Sequence, residues 1–397
     1  MSTARTADAD ADDVAAAVRD ARFLRVLSRA DGAALAASGV LARTCRDLGV
    51  PFQVRALADP DPTAVAGDDA LTVTVGATGG DRSLVGGDRP AATTAAAAAR
   101  DLGVDVDPTL ALAGVVAAGR APEEANGLLE RAEDAGVVAR RPGVGVPTAD
   151  LADGLAHSTL LHASFSGDPG TAERAIADVE GVERADSLDE DARRRVASLA
   201  ALSVASDPEA SARAPEAVER FLRPYGTPEG PFATLAGYAD VLDAVARERP
   251  GTGVALALGH DARESALAAW RDHAAAAHAL VRDAEFARYD GVLVGRVERS
   301  EGPSSTARLS TAARLIRDFR SPEPVALLVD GGHAAAASVD PIGVGERMAR
   351  AAAAVRTEAG EDPADASPIG YGDATSGETR VPTTTLTTFV DAFREAL

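Results

Sequence analysis

Strand-like runs alternate with helix-like runs through the first 120 residues, and this alternation limits the fold more than any other feature. The runs are, in order, strand-like at 23–27, helix-like at 33–48, and strand-like at 52–57, 70–80 and 82–91, followed by helix-like runs at 91–104 and 110–119. A turn at 29–32 opens the first helix-like run, and Gly49 ends it. Strands that alternate with helices favour a mostly parallel α/β sheet.

Four residues follow directly after these runs: Asp31, Gly76, Asp88 and Gly119. In a parallel α/β sheet, the ligand site lies at the edge where the strands end. We therefore expect these four residues to face one cleft.

The rest of the chain divides into a largely helical part, up to about residue 250, and a second part in which strands and helices alternate again. The predicted organisation is an acidic lead-in (1–20), an α/β domain (21–190), a helical connector (191–250) and a second α/β domain (251–397). The lead-in is expected to be frayed or a short helix. The alanine tracts are predicted to be helix formers because alanine has the highest helix propensity.

The charge balance is strongly acidic, with a formal net charge of −21 and no lysine among the cationic residues. Such a surface repels itself in dilute buffer, and molar salt screens that repulsion. The composition therefore favours a protein adapted to a high-salt cytoplasm, as in haloarchaea. A DNA mimic or a metal buffer fits less well because the acidic residues are dispersed. Any nucleic-acid contact would need a local arginine patch.

The sequence has no run that predicts export or membrane insertion. The N-terminal stretch is acidic rather than basic and then apolar, and no run of about 18 uncharged apolar residues occurs. We therefore expect a cytoplasmic protein without membrane contact. Cys45 is the single cysteine, which excludes an internal disulfide and a cysteine metal cluster.

Several short segments between about residues 20 and 345 occur in a recognisable order. They read SRADGAALAASGVLARTCRDLGVPFQVR, LVGGDRPA, EANGLLERAEDAG, LAGYADVLDAVARERPGTG, SSTARLS and DGGHAAAAS. This order resembles the DHH superfamily of phosphoesterases, and most closely the archaeal RecJ-like proteins. The resemblance implies an N-terminal DHH-type parallel-sheet domain, a helical connector and a C-terminal α/β DHH-associated domain.

The resemblance also implies a chemistry, since active members of the superfamily hydrolyse phosphodiesters with two Mn²⁺ or Mg²⁺ ions held by aspartates and histidines. At the places of those metal-binding motifs, this chain has Arg29 and Asp31, Gly76, Gly86-Gly87-Asp88, and Ala118-Gly119. The first 156 residues contain no histidine. A guanidinium where a metal should sit repels a divalent cation. We therefore interpret Arg29, Asp31, Gly76, Asp88 and Gly119 as remnants of a lost metal site and expect no cofactor.

Two alternatives stay open. The chain could be an active single-strand-specific 5′-to-3′ exonuclease or phosphoesterase that uses Asp31, Asp81 and Asp88 to bind Mn²⁺. It could also be a regulatory protein that senses nucleotides with the degenerate cleft.

The second α/β part offers a separate candidate site. Gly331, Gly332 and His333 resemble a glycine-rich loop that clamps a substrate phosphate in active relatives, although Asp330 and Ser338 stand where that motif has glycine. The loop is either a nucleic-acid contact or a glycine turn with a hydrogen-bonded histidine. Arg308, in a segment resembling another motif of this domain, is also a candidate contact. It precedes Arg314, Arg317 and Arg320, which either line a DNA groove or form ion pairs on a solvated helix.

Other conspicuous side chains are interpreted as structural. His157 and His162 are five residues apart, as are His273 and His278, and this spacing does not place two metal ligands on one helix face. Trp270 is predicted to pack in the core rather than to stack on a base.

The predicted function is that of a catalytically inactive RecJ-like protein, either a nucleic-acid-binding or a scaffold subunit in DNA replication or repair. The resemblance supplies a precedent, because an inactive homologue belongs to the replicative helicase complex of eukaryotes and archaea. The partners it implies are single-stranded nucleic acid and replisome proteins of the GINS and MCM type.

Overall fold

A computed structural model describes most of the chain. The residues it describes are 9–65, 70–125, 127–177, 179, 188–297, 306–359, 370–381 and 385–397. Within these ranges, we find no helix with the length and apolar character needed to cross a membrane.

Helices account for most of the regular structure. They are α1 (Ala11–Asp20), α2 (Gly32–Leu48), α3 (Ala91–Asp101), α4 (Pro108–Ala117), α5 (Leu128–Asp134), α6 (Leu151–His157), α7 (Pro169–Ile176), α8 (Glu190–Ala205), α9 (Ala214–Glu219), α10 (Leu235–Glu248), α11 (Pro250–Ala257), α12 (Arg263–Asp283), α13 (Thr306–Phe319), α14 (Val344–Ala359) and α15 (Leu386–Ala396).

The strands are short. They are β1 (Leu24–Arg29), β2 (Phe52–Leu57), β3 (Leu71–Val75), β4 (Arg82–Leu84), β5 (Ala139–Arg140), β6 (Tyr225–Gly226), β7 (Glu285–Tyr289), β8 (Val292–Val297), β9 (Val325–Asp330), β10 (His333–Ser338), β11 (Gly370–Gly372) and β12 (Ser376–Arg380). The predicted order of a parallel-sheet part, a helical part and a second α/β part is confirmed.

The chain forms two compact units, each built from three segments. The first unit comprises Met1–Gly154, Glu180–Arg195 and Arg220–Asp272, and the second comprises Leu155–Val179, Val196–Glu219 and His273–Leu397.

The first unit contains a four-stranded sheet in the order β2-β1-β3-β4, with every neighbouring pair parallel. Because the strands are parallel, the carboxyl ends of all four lie together at one edge. Helix α2 begins one residue before the predicted start and ends where predicted, because Asp31 caps its first turn and Gly49 ends it in the left-handed conformation.

Part of the acidic lead-in is a packed helix. Residues 1–8 lie outside the described residues, but α1 buries Val14 and Val18 and contacts α3. The carboxylate of Asp10 caps α1 by accepting the Asp13 N–H at 2.9 Å. Of the two expectations for this segment, the short helix is confirmed for residues 11–20.

Trp270 lies in the core of the first unit with no exposed surface. Its indole Nε1–H donates to the Asp240 carboxylate at 2.9 Å, and Asp240 is itself buried. A buried indole normally needs such a partner for its N–H group. The prediction that Trp270 packs in the core is confirmed.

The second unit contains a six-stranded sheet in the order β11-β12-β10-β9-β8-β7. Strands β8 and β9 are parallel, and the other pairs are antiparallel. All six residues of β9 are buried, so both faces of the sheet are covered at its centre. Helices α13 and α14 pack against this sheet.

The alanine tract at 334–337 forms strand β10, so its prediction as a helix former is wrong. Asp330 and His333 pair across a two-residue turn, and β10 then pairs with both β9 and β12. A turn of this length returns the chain directly into an antiparallel pair, which overrides alanine's helix propensity. The buried methyl groups of Ala334–Ala337 leave room for α13 to contact the strand.

Helix α10 of the first unit approaches neighbouring backbone closely at Gly237, and substitution of this glycine tests the contact. A Cβ on Gly237 would lie 2.3 Å from the backbone nitrogen of Pro147, so α10 needs glycine there. We expect Gly237→Ala to lower the free energy of unfolding by at least about 2 kcal/mol, because backbone must move to relieve the clash. Urea titration followed by circular dichroism measures it.

The control is Gly251→Ala in α11, where a new Cβ would meet no atom within 4 Å. This variant should keep or slightly raise the stability, since alanine favours the helix. Equal stabilities for the two variants would contradict a close packing of α10 against the backbone at Pro147.

Candidate functional site

The carboxyl edge of the first sheet is dominated by an ion pair. Arg29 is the last residue of β1, and its Nε donates to Oδ2 of Asp31. The other carboxylate oxygen of Asp31 accepts the Ala34 N–H at 2.8 Å, which caps α2. Both oxygens of the aspartate that matches the superfamily motif are therefore bonded to the chain itself.

Gly76 follows β3 and lies against the same ion pair. Its N–H donates to the Leu84 carbonyl at 2.8 Å, and its φ is +76°, a conformation that favours glycine. A Cβ at this position would lie 2.9 Å from Cβ of Ala34 and 3.0 Å from Cβ of Arg29. The volume that a side chain at position 76 would need is thus filled by its neighbours.

A second carboxylate, missed by the sequence analysis, meets the start of α2. Asp243 of α10 accepts the Gly32 N–H at 3.1 Å and pairs with Arg247 at 3.2 Å. The four-residue spacing of Asp243 and Arg247 indicates a helical ion pair. The spacing does not predict the contact of the Asp243 carboxylate with α2, because Asp243 and Gly32 are 211 positions apart in the sequence.

The loops that carry the remaining motif positions meet each other. Arg120, next to Gly119, donates from Nη2 to the Gly87 carbonyl at 3.3 Å. Asp88 is exposed, and a Cβ on Gly119 would meet no atom within 4 Å. The structure therefore brings the loops after β4 and α4 together, as the sequence predicts, with glycines and an exposed aspartate.

Asp81 lies at the other end of the sheet. Its carboxylate accepts the Thr72 N–H at 2.8 Å, and Thr72 pairs in register with Arg25, near the start of β1. Arg29 is four residue steps further along the strand than Arg25, which is about 13 Å. The alternative ligand set of Asp31, Asp81 and Asp88 is therefore not brought together.

The residues at this edge do not fit a centre for two divalent cations. Such ions need several oxygen or imidazole ligands around one point. The Asp31 carboxylate is already hydrogen-bonded to the Arg29 guanidinium and to the N-terminus of α2, and Gly76 has no side chain that could ligate a metal. Throughout the described ranges, no three His, Cys, Asp or Glu side chains are grouped so that they could hold a metal ion.

In the second unit, Gly331 and Gly332 form the turn between β9 and β10. Among the described residues, Nδ1 of His333 is buried without a hydrogen-bond partner. Burial lowers the pKa of His333, Asp330 raises it, and Arg380 lowers it, with a net lowering. The environment therefore favours the neutral form of the His333 ring over the positively charged form.

Arg314 and Arg317 of α13, and Arg320 directly after it, are hydrogen-bonded within the second unit. Arg314 donates to the Thr159 hydroxyl at 2.8 Å, Arg317 to the Ser338 carbonyl at 2.9 Å, and Arg320 to Asp207 at 3.1 Å. These contacts engage all three guanidinium groups within the unit, which favours a structural role over a DNA groove, although only the contact of Arg320 with Asp207 is an ion pair among the three. Arg308 is half-buried at the start of the same helix, and Ser304 and Ser305 lie outside the described residues.

His162 and His278 contact each other in the core of the second unit, although their spacing in the sequence groups them only with their nearer neighbours, His157 and His273. Nδ1 of His162 lies 3.0 Å from Nδ1 of His278, whose Nε2 lies 3.0 Å from the Ser158 carbonyl. A carbonyl only accepts, so His278 carries its proton on Nε2 and accepts from His162. Nε2 of His162 then accepts from Arg320 at 3.3 Å. This chain of donors fixes both rings as neutral tautomers.

Burial lowers the pKa of His278 to about 3 and holds the pKa of His162 well below its usual value. The nearby guanidinium groups of Arg282 and Arg320 act in the same direction.

Comparison with known proteins gives one close relative and one family. The Haloarcula marismortui protein named "Uncharacterized protein rrnAC1427" is 45% identical over 389 residues, which is 97% of this chain and 96% of that protein. The family described as "Uncharacterized protein rrnAC1427, C-terminal domain" matches residues 284–395.

Two solved structures share the fold at low sequence identity. CDC45 from Entamoeba histolytica is 9% identical with a TM-score of 0.64, and the match covers 97% of both chains. RecJ from Thermus thermophilus, in complex with Mn²⁺, is 13% identical with a TM-score of 0.50. That match covers 97% of this chain and 54% of RecJ, so the chain spans about half the length of that protein.

The double role of Asp31 can be tested by substitution. Asp31→Ala should lower the free energy of unfolding by about 1–2 kcal/mol, because α2 loses its cap. Asp31→Asn should cost less, since an asparagine side chain also accepts the Ala34 N–H. Urea unfolding measures both variants, and an equal loss for the two would contradict the capping role.

The buried histidine pair predicts a pH dependence of stability. The folded-state pKa of His278 lies below the unfolded value of 6.5, so the unfolded state binds more protons between pH 6.5 and about 3. The stability contribution is present above pH 6.5 and is lost as the pH falls towards the folded pKa. Urea unfolding at a series of pH values should therefore show that the free energy of unfolding declines as the pH falls below 6.5.

The slope of that decline should be shallower in His278→Gln, in which the amide retains a donor and an acceptor. His260→Gln is the matched control, because His260 is exposed, and it should leave the slope unchanged. The same slope in all three proteins would show that the buried pair has no part in the effect.

Proposed function

We propose a function on the premise that this chain belongs to the family of the Haloarcula marismortui protein rrnAC1427 and has the RecJ-like DHH fold that its motif order predicts. The chain is a catalytically inactive RecJ-like protein that acts in DNA replication or repair by binding nucleic acid or other proteins. It works in the cytoplasm without a resident metal ion.

The observation that supports this proposal is the ion pair at the carboxyl edge of the first sheet. The Arg29 guanidinium binds the one matched aspartate, Asp31, and the stem of Arg29 fills the space beside Gly76. A divalent cation at this point would have to displace a positive charge and compete for both oxygens of Asp31. A fold can be retained while its site changes, so the loss of the donor set is compatible with the shared architecture.

The second line of support is the match to CDC45, which extends over nearly the whole of both chains. It favours a role for the complete two-unit architecture rather than for one isolated domain. Proteins of the GINS and MCM type are the proposed partners, and single-stranded nucleic acid is the proposed ligand. His333 and the neighbouring Gly331 and Gly332 are the proposed contacts, since the buried Nδ1 of His333 has no hydrogen-bond partner among the described residues.

The test measures catalysis, metal binding and association separately. We expect the purified chain to show no Mn²⁺-dependent hydrolysis of single-stranded DNA or RNA, and no saturable heat of Mn²⁺ binding at the Asp31 edge. The reason is that Arg29 and Gly76 provide no ligand there. Turnover that Asp31→Asn abolishes would instead establish the alternative of an active phosphoesterase.

Association is tested by affinity purification from cells of the native host in high salt. Recovery of GINS or MCM proteins supports the scaffold role, and His333→Ala should leave that recovery unchanged while weakening the binding of a single-stranded oligonucleotide. Recovery of neither protein, together with no oligonucleotide binding, would contradict the proposed role even if catalysis is absent.

A further inference from the structure

A cavity of ≈320 Å³ opens among helices α1, α3 and α5 of the first unit. Arg89, Arg100 and Arg131 line it, and Ala96, Ala125 and Leu128 form part of its floor. We call this feature the arginine groove. Arg89 follows the Gly86–Asp88 loop in sequence, but the rest of the groove is built on helices rather than on the carboxyl edge of the sheet.

The groove is a local exception to the charge of the chain. Its lining contains three arginines and no carboxylate among the described residues, although the formal net charge of the whole chain is −21. Asp101 and Glu130 are sequence neighbours of Arg100 and Arg131, yet neither lines the groove. Within the described part of the chain, none of the three guanidinium groups forms an ion pair or a side-chain hydrogen bond. The three charges therefore remain available to an anionic partner.

The spacing of the arginines suits an elongated partner. Arg89 directly precedes the Pro90 cap of α3, and Arg100 lies in the last turn of this helix. Arg89 precedes the helix, so the two arginines lie at opposite ends of α3, whose 11 residues span about 16 Å. Thr93 and Ala96 share the helix face of Arg100, because they are spaced by three and four residues, and both are buried.

The chemistry of the floor decides between two kinds of polyanion. Single-stranded nucleic acid is usually held by aromatic side chains that stack on bases. The described lining has no aromatic residue and instead offers alanine methyl groups and Leu128. An apolar floor favours apolar side chains, and a cationic rim favours carboxylates, which guanidinium groups bind with two parallel hydrogen bonds. An amphipathic helix with acidic flanks meets both requirements.

We propose that the arginine groove is a docking site for an acidic amphipathic helix of a partner protein. The apolar stripe of that helix covers the floor formed by Ala96, Ala125 and Leu128. Its flanking Asp or Glu side chains pair with Arg89, Arg100 and Arg131. This assignment uses none of the residues that support the absence of catalysis, so each can fail without the other.

The test uses the full chain and a fluorescein-labelled helical peptide of about 18 residues, or five turns. The peptide carries Leu and Ala at spacings of three and four, with Glu on both flanks. A second peptide of the same composition has its pattern scrambled. Fluorescence anisotropy measures the binding of each peptide to the wild-type protein and to the variant Arg100→Glu/Arg131→Glu. The control is Arg19→Glu/Arg350→Glu, which reverses two exposed helical arginines outside the groove. Circular dichroism verifies that both variants are folded.

We expect the patterned peptide to bind wild type and the control variant equally, and to bind Arg100→Glu/Arg131→Glu at least about tenfold more weakly. The scrambled peptide should bind weakly to all three proteins. Equal binding of the patterned peptide to both variants, or no binding to wild type, would overturn the proposal. Binding of an oligo-dT strand to wild type and to the control variant, but not to Arg100→Glu/Arg131→Glu, would overturn the proposal too, because the groove would then be a nucleic-acid site.

Discussion

The ion pair between Arg29 and Asp31 is the contact on which the carboxyl edge of the first sheet depends. It joins the last residue of β1 to the cap of α2, so a strand end and a helix start are fixed by the same carboxylate. A negative group at a helix N-terminus is stabilised by the helix dipole, and a guanidinium beside it balances the charge. At this point of the edge, both oxygens of the Asp31 carboxylate are therefore hydrogen-bonded to groups of the chain itself.

Asp243 repeats this arrangement on the other side of the same helix start. It accepts the Gly32 N–H and pairs with Arg247, so both carboxylates at the first turn of α2 have an arginine partner. The fold is shared with RecJ and CDC45. At this edge of it, both carboxylates bind N–H groups in the first turn of α2 and so stabilise the start of that helix.

Small residues make the close approaches possible in both units. Gly237 lets α10 lie against the backbone at Pro147, and Gly76 lies against the Arg29 stem. In the second unit, the buried alanines of β10 allow α13 to contact the sheet. Added volume is tolerated poorly at Gly237, because the neighbours there are backbone atoms rather than flexible side chains. Where helices α1, α3 and α5 leave space instead, the arginine groove remains.

The sequence by itself determined the elements of the parallel sheet, the limits of α2 and the order of the motifs, since periodicity and caps act within a few residues of each other. It also predicted that Asp31, Gly76, Asp88 and Gly119 face one cleft; the structure joins Gly76 to the Arg29–Asp31 pair and, separately, the loop of Asp88 to that of Gly119. Only the tertiary structure decided which groups meet there. The contact of Asp243 with α2 joins residues 211 positions apart, and that of His162 with His278 joins residues 116 positions apart. Strand pairing turned an alanine tract into β10, and strand direction placed Asp81 at the opposite edge. The burial of a side chain and its pairing with a partner depend on contacts between residues far apart in the sequence, and local propensity does not predict such contacts.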